Sequence, residues 1–223
     1  MSHPDVDPAI VQAAAVRRGR AHVYEDIVTE RTALVVIDLQ NAFMRVGAPS
    51  EVPSARSIVP AVNRLADALR RSGGTIAWVQ ATFERDGWPL FFDHMVRREL
   101  ATRILAALRP SSADHALWAE LTIAPDDLIV QKYRFSAFLP GASTLPAILR
   151  GRGIDTILIA GCMTNMCCDS SARDAVMTDF RTIMVADCNA ARTDAEHLSA
   201  LGSFLTGFGD VRRSEDLISE LRT

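Results

Sequence analysis

Cys167 stands in a run whose residue types suit nucleophilic chemistry: Gly161-Cys162-Met163-Thr164-Asn165-Met166-Cys167-Cys168-Asp169. The apolar residues 156–160 before it predict a buried strand, and residues 170–177 after it predict a helix. Cys167 then falls in the first turn of a helix that begins at a strand end. Free backbone N–H groups and the positive end of the helix dipole gather at such a turn. Both favour thiolate over thiol and so make a sulfur nucleophile. Two more groups are placed to meet it. The first predicted strand ends at Asp38 and the third at Lys132. In an open parallel sheet, ligands bind outside the carboxyl ends of the strands. A carboxylate, an ammonium and a thiol can therefore share one rim. Asp38 can accept the thiol proton, while Lys132 favours both anions by charge and orients the carboxylate. Sulfur attack on a carbonyl makes an oxyanion that N–H groups at the helix start can stabilise. Asp38 can then protonate a leaving amine and afterwards activate water.

Each residue also has a structural reading. Asp38 can cap a turn or helix, and Lys132 can be a surface lysine at a strand end. Cys162 and Cys188 read as small core hydrophobes, and Cys168 points about 100° around the helix from Cys167, where it packs.

The elements that must position these groups alternate along the chain. Continuous apolar runs at 33–37, 75–80, 128–131, 156–160 and 182–186 predict buried strands, with a short edge strand at 210–212. Between them, Ile58, Val62, Leu65 and Leu69 recur at helical spacing in a helix capped by Ser54 and ended by Gly73-Gly74. Further helices are expected at 94–108, 142–150 and 194–208, with a last one reaching Leu221. Strand–helix–strand repetition predicts an α/β fold with helices on both faces of a parallel sheet. Residues 1–31 read as a helical arm suited to reaching a neighbouring subunit, and 32–223 as the main domain. The insertion at 81–126 is suited to a lid or a subunit contact.

Composition narrows the function classes. The 223 residues are 48% hydrophobic and 23% charged, with a net charge of −3. That fits one globular domain and suggests neither nucleic acid nor an anionic membrane as partner. The cluster Arg17-Arg18-Gly19-Arg20 reads as a solvated helix end. Residues 1–7 lack the pattern of a secretory signal, and no apolar run is long enough to span a bilayer. Three of the four cysteines crowd into one segment, a poor disulfide framework, so a reducing cytoplasmic setting is expected. There is no Cys-x-x-Cys pair for structural zinc and no Gly-x-Gly-x-x-Gly for a dinucleotide, so no cofactor is expected.

Three segments together resemble the isochorismatase-like cysteine hydrolase superfamily, which includes nicotinamidases, N-carbamoylsarcosine amidohydrolases and ureidoacrylate amidohydrolases. They are Ala33-Leu34-Val35-Val36-Ile37-Asp38-Leu39-Gln40-Asn41-Ala42-Phe43, Lys132-Tyr133-Arg134-Phe135-Ser136-Ala137-Phe138, and Gly161 to Cys167 with Ser171-Ala172-Arg173-Asp174-Ala175. The resemblance implies a three-layer αβα fold with a six-stranded parallel sheet, usually as a homodimer or homotetramer. It implies a catalytic triad of Asp38, Lys132 and Cys167, and an oxyanion hole from the backbone N–H groups of Met163 and Cys167. It also implies a cis peptide bond between Cys162 and Met163. Isochorismatases proper lack a cysteine at the Cys167 position, so its presence points to covalent amide hydrolysis. Nicotinamidases use a histidine-containing metal site, and residues 46–57 here hold no histidine, so no catalytic metal is expected. Met163 and Cys168 replace the smaller residue and the valine usual beside the nucleophile.

The expected substrate is a small molecule, a linear amide or ureido compound cleaved through a thioester. Candidate contacts are Phe43, Asn41, Gln40, Trp88, Arg134 and Phe135. Arg134 is suited to a substrate carboxylate and Trp88 to closing the pocket. Alternatives are a lactam or cyclic-amide hydrolase of the antibiotic-modifying kind, a non-catalytic metabolite-binding module, and a redox switch built on Cys162 and Cys167.

Overall fold

The computed structural model describes residues 3, 5–84 and 88–221. Its strands are β1 (Thr32–Ile37), β2 (Thr75–Ala81), β3 (Leu128–Lys132), β4 (Thr156–Cys162), β5 (Arg181–Ala190) and β6 (Asp210–Arg212). They form one six-stranded sheet in the order β3-β2-β1-β4-β5-β6, and every neighbouring pair is parallel. The helices are α1 (Pro8–Arg18), α2 (Asn41–Met44), α3 (Ala55–Arg71), α4 (Pro89–His94), α5 (Arg98–Ala107), α6 (Leu145–Gly151), α7 (Asp169–Met177), α8 (Asp194–Gly207) and α9 (Ser214–Glu220).

The apolar runs of β1 and β4 are buried from end to end. Their side chains alternate between two cores, because successive strand residues point to opposite faces. Leu34 and Val36 join the core built with Ile58, Val62, Leu65 and Leu69 of α3 and Leu217 of α9. Ala33, Val35 and Ile37 join the core built with Leu149 of α6, Ala172 of α7 and Phe204 of α8. This is the expected three-layer αβα arrangement. Continuous hydrophobicity in a strand is the signature of a sheet covered on both sides.

Several local expectations shift. The helix predicted over 94–108 is two helices, α4 and α5. Pro89 starts the first, as proline does in an opening turn. The chain then turns at Arg97, which is extended at ψ 140°. Helix α6 starts later than expected, because the Ser143 hydroxyl takes the Leu145 N–H (3.1 Å). Ser54 does not cap α3; its hydroxyl donates to the Ala191 carbonyl (2.5 Å).

The arm lies on its own chain. Asp7 caps α1 by accepting the Ala9 N–H (2.8 Å), and Gly19 ends the helix at φ 72°. Arg17 and Arg18 are not simply solvated. Arg17 donates to the Thr206 carbonyl (2.6 Å), and Arg18 to the carbonyls of Leu205 and Gly209. Cations thus sit on the carbonyl-rich C-terminal end of α8, where the helix dipole favours them. Among the described residues, no helix is long and apolar enough to cross a membrane.

Candidate active site

The sheet order places the site. From β1 the chain steps outward to β2 and β3, then returns to pair β4 on the other side of β1. The connections leaving β1 and β4 therefore diverge, opening a crevice at their carboxyl ends. Asp38 follows β1 directly. Its N–H donates to the Val79 carbonyl (2.9 Å), and its backbone takes the left-handed region at φ 57°, uncommon for a residue with a side chain. On β4, Gly161 lies opposite Ile37 at φ 117°. A Cβ there would stand 2.0 Å from the Ile37 carbonyl oxygen, so only glycine fits between the two strand ends. The Cys162–Met163 bond is cis.

Cys167 lies in the opening helical turn after β4, as expected, but that turn is not α-helical. Residues Thr164–Cys168 form a π-helical turn that leads into α7. The Met163 carbonyl ties this turn down by accepting the N–H groups of Met166 (3.0 Å) and Cys168 (3.2 Å). Behind it, the Thr164 hydroxyl and His197 Nδ1 of α8 lie 2.9 Å apart.

Lys132 ends β3 and reaches across to the other two groups. Its Nζ lies 2.9 Å from Asp38 Oδ2 and 3.4 Å from Cys167 Sγ, and donates to the Arg134 carbonyl (3.1 Å). Asp38 and Lys132 are fully buried and Cys167 nearly so. The Cys167 thiol and the Asp38 carboxylate are close enough to act on each other's proton affinity. Lys132 holds Asp38 chiefly by charge: neither carboxylate oxygen has a well-directed hydrogen bond among the described residues. That leaves acceptor capacity for a proton. The loop after Lys132 is fixed from both sides, with Ser171 of α7 accepting the Ala137 N–H (3.0 Å) and Ser136 accepting that of Phe138 (3.0 Å).

Burial sets the proton balance. It raises the Asp38 carboxyl above 3.8 against the opposing charge of Lys132. It also pushes the Cys167 thiol far above its ordinary range; the Asp38 charge adds to this and Lys132 opposes it. Burial disfavours the Lys132 ammonium too, but the neighbouring anions outweigh it and raise its pKa above 10.5. Burial therefore opposes the thiolate that a helix start was expected to favour. A carboxylate of raised proton affinity thus stands beside the thiol, with the Lys132 cation held between them.

Cys167 opens onto a cavity of about 340 Å³, whose floor includes Met163 and Met166. Phe43 and Phe135, two of the expected contacts, stand in its wall. Trp88 stands behind that wall, its ring 4.7 Å from those of Phe91 and Phe135. Arg134 directs its guanidinium over the Trp88 ring (5.2 Å) and donates to the Tyr133 carbonyl (2.7 Å), rather than lining the cavity. Gln40 and Asn41 are turned to structural work. Gln40 is buried and donates to the carbonyls of Ala81 and His115, accepting the Ala81 N–H in return. Asn41 donates to the Ala113 carbonyl (2.9 Å). Both amides pin the 81–126 insertion to the strand ends. Sequence reasoning missed Phe83, Phe91, Met166 and Arg192 in the lining. The density of aromatics at 83–92 was the available signal. Among the described residues, no three His, Cys, Asp or Glu side chains are grouped to hold a metal ion.

Comparisons with known proteins place the chain in a family. The chain is 32% identical over 198 residues to maleamate amidohydrolase of Pseudomonas putida, covering 86% of this chain and 87% of the relative. It is 29% identical over 209 residues to the ureidoacrylate amidohydrolase RutB of Pseudomonas syringae, covering 83% and 81%. Among solved structures, a cysteine hydrolase from Pseudomonas syringae pv. phaseolicola superposes with a TM-score of 0.79 at 26% identity, over 90% of this chain and 96% of that one. The isochorismatase domain matches residues 32–216. With that match spanning most of the chain, and a six-stranded parallel sheet of the same architecture, the protein belongs to the isochorismatase family of hydrolases.

Proposed function

We propose that this protein is a cysteine-dependent amidohydrolase, cleaving the C–N bond of a small linear amide or ureido compound through a thioester. The observation that carries the reading is the buried Lys132 ammonium, within 3.4 Å of both Asp38 and Cys167 at the edge of a cavity. A structural ion pair needs neither a thiol nor an opening. The names of the relatives, maleamate amidohydrolase and ureidoacrylate amidohydrolase, support the same bond class.

The chemistry needs only water as co-reactant. As Sγ bonds to the carbonyl carbon, the thiol proton passes to Asp38, whose burial raises its proton affinity. The carbonyl electron pair becomes an oxyanion, held by the backbone N–H groups of Met163 and Cys167. Collapse breaks the C–N bond, and the nitrogen leaves as ammonia or an amine with the proton from Asp38. Water then gives a proton to Asp38 and attacks the thioester. The C–S bond breaks, the acid departs and the proton returns to sulfur. Lys132 stays charged throughout and stabilises whichever neighbour is anionic.

Ammonia release across a panel of amides and ureido acids tests this. Cys167→Ala and Asp38→Asn should each lose at least about 10³-fold in turnover. Intact-mass measurement of the quenched wild-type protein should show an acyl adduct on Cys167. Stoichiometric alkylation of Cys167 with full activity retained would sink the proposal.

A further inference from the structure

We infer that the acyl group of the substrate is bulky and apolar, an aryl or branched-alkyl carboxamide rather than a compact anionic one. The inference rests on the amidohydrolase reading and adds to it what the cavity selects. In a thioester mechanism the acyl group stays bonded to Sγ through both half-reactions, so it must occupy the space beside Cys167. That space is about 340 Å³, within the range of pockets that enclose drug-sized ligands. The insertion supplies its far wall through Met95, Leu100, Ile104 and Leu108, all apolar. The near wall is aromatic, with Phe43, Phe83, Phe91 and Phe135. The polar side chains of the lining are Ser50, Arg97 and Arg192, and both arginines are solvent-exposed. A carboxylate one or two carbons from the scissile carbonyl would face mainly aromatic and aliphatic groups and exchange hydration for them, with Arg97 and Arg192 as the cations of the lining. An aryl or branched-alkyl body there gives up only apolar surface to apolar surface, which is favourable.

The walls are also braced for this role. Trp88 packs on Phe91 and Phe135 from outside the cavity and meets Phe83 edge-on (5.7 Å). A pre-formed aromatic wall loses little freedom when a ligand docks, so the gain from apolar contact is retained.

The test is kcat/KM for ammonia release by the wild-type protein along a series: acetamide, butanamide, hexanamide, benzamide, 3-phenylpropanamide and maleamate. We expect an increase of about fourfold per added methylene until the cavity is filled. 3-Phenylpropanamide should exceed maleamate by at least tenfold. Ile104→Ala and Leu100→Ala should lower the ratio of 3-phenylpropanamide to acetamide activity by several-fold. A series that is flat, or that favours maleamate, while an acyl adduct still forms on Cys167 would overturn this inference and leave the amidohydrolase reading standing. No ammonia from any amide and no adduct would overturn both. The wild-type series decides even if a variant fails to fold.

Discussion

At the scale of residues, the proposed chemistry is an exchange of one proton between two buried acids beside a fixed cation. A thiol alone would have to ionise in a buried setting, which burial disfavours. Passing the proton directly to Asp38 avoids that cost, and the same burial makes the carboxylate a stronger base. This fixes the sign of the pH dependence. Asp38 must be ionised to accept the proton, so activity falls as pH drops through its pKa. Since that value lies above 3.8, the acid limb of kcat/KM should also lie above 3.8. The Lys132 pKa is raised above 10.5, so loss of its proton should not limit activity below that pH. A pH–rate profile with saturating controls for stability checks both. An acid limb at or below 3.8 would contradict the role given to Asp38.

At the scale of elements, the close approach of β1 and β4 holds the acid and the nucleophile turn together. Gly161 is the point of contact, and a methyl group there would meet the Ile37 backbone rather than a side chain able to move. Gly161→Ala should therefore destabilise the fold by roughly 3 kcal/mol or more, and displace Cys162 and the turn that follows. Urea denaturation gives the first effect, and loss of acyl-adduct formation in the folded fraction gives the second. The strand positions and the acid, cation and thiol at their ends were legible in sequence, because buried parallel strands are continuous apolar runs and their ends are fixed by polar residues. The inner contacts were less legible. Gln40 and Asn41 follow Asp38 closely, after Leu39, and that nearness suggested a role in binding. The insertion returns to the strand ends at Ala113 and His115 and takes up both amides instead. A contact about seventy residues distant leaves no local pattern for a sequence reading to find.

At the scale of the molecule, the arm acts as a strap across α8 and β6. It is fastened by Arg17 and Arg18 at the end of α8, and by His22 and Val23 on the buried Asp210. His3 lies stacked on His197, with ring centroids 4.3 Å apart, and pairs with Asp194 at the start of the same helix (2.6 Å). His197 in turn contacts Thr164 in the nucleophile turn. Burial, with a smaller contribution from His3, lowers the His197 pKa from 6.5 to about 4. A folded-state pKa below the unfolded one means the unfolded chain binds the proton first, so stability is lost as pH falls from 6.5 toward 4. Calorimetry of a chain lacking residues 1–23 should show a melting temperature lower by about 5 °C or more at pH 7. It should also show a weaker fall in stability with acid, since removal of the strap lets water reach His197.

The sequence by itself determined the class of fold and which residue types stand at its rim. Strand periodicity, the residues that end each strand, and the unbroken segments around Asp38, Lys132 and Cys167 are all local properties. Only the tertiary structure decided the direction in which burial pushes the proton affinities of the site, the make-up of its cavity and the place of the arm. Burial and long-range packing control those three, and both arise from elements far apart in the chain, so no stretch of residues read alone carries them.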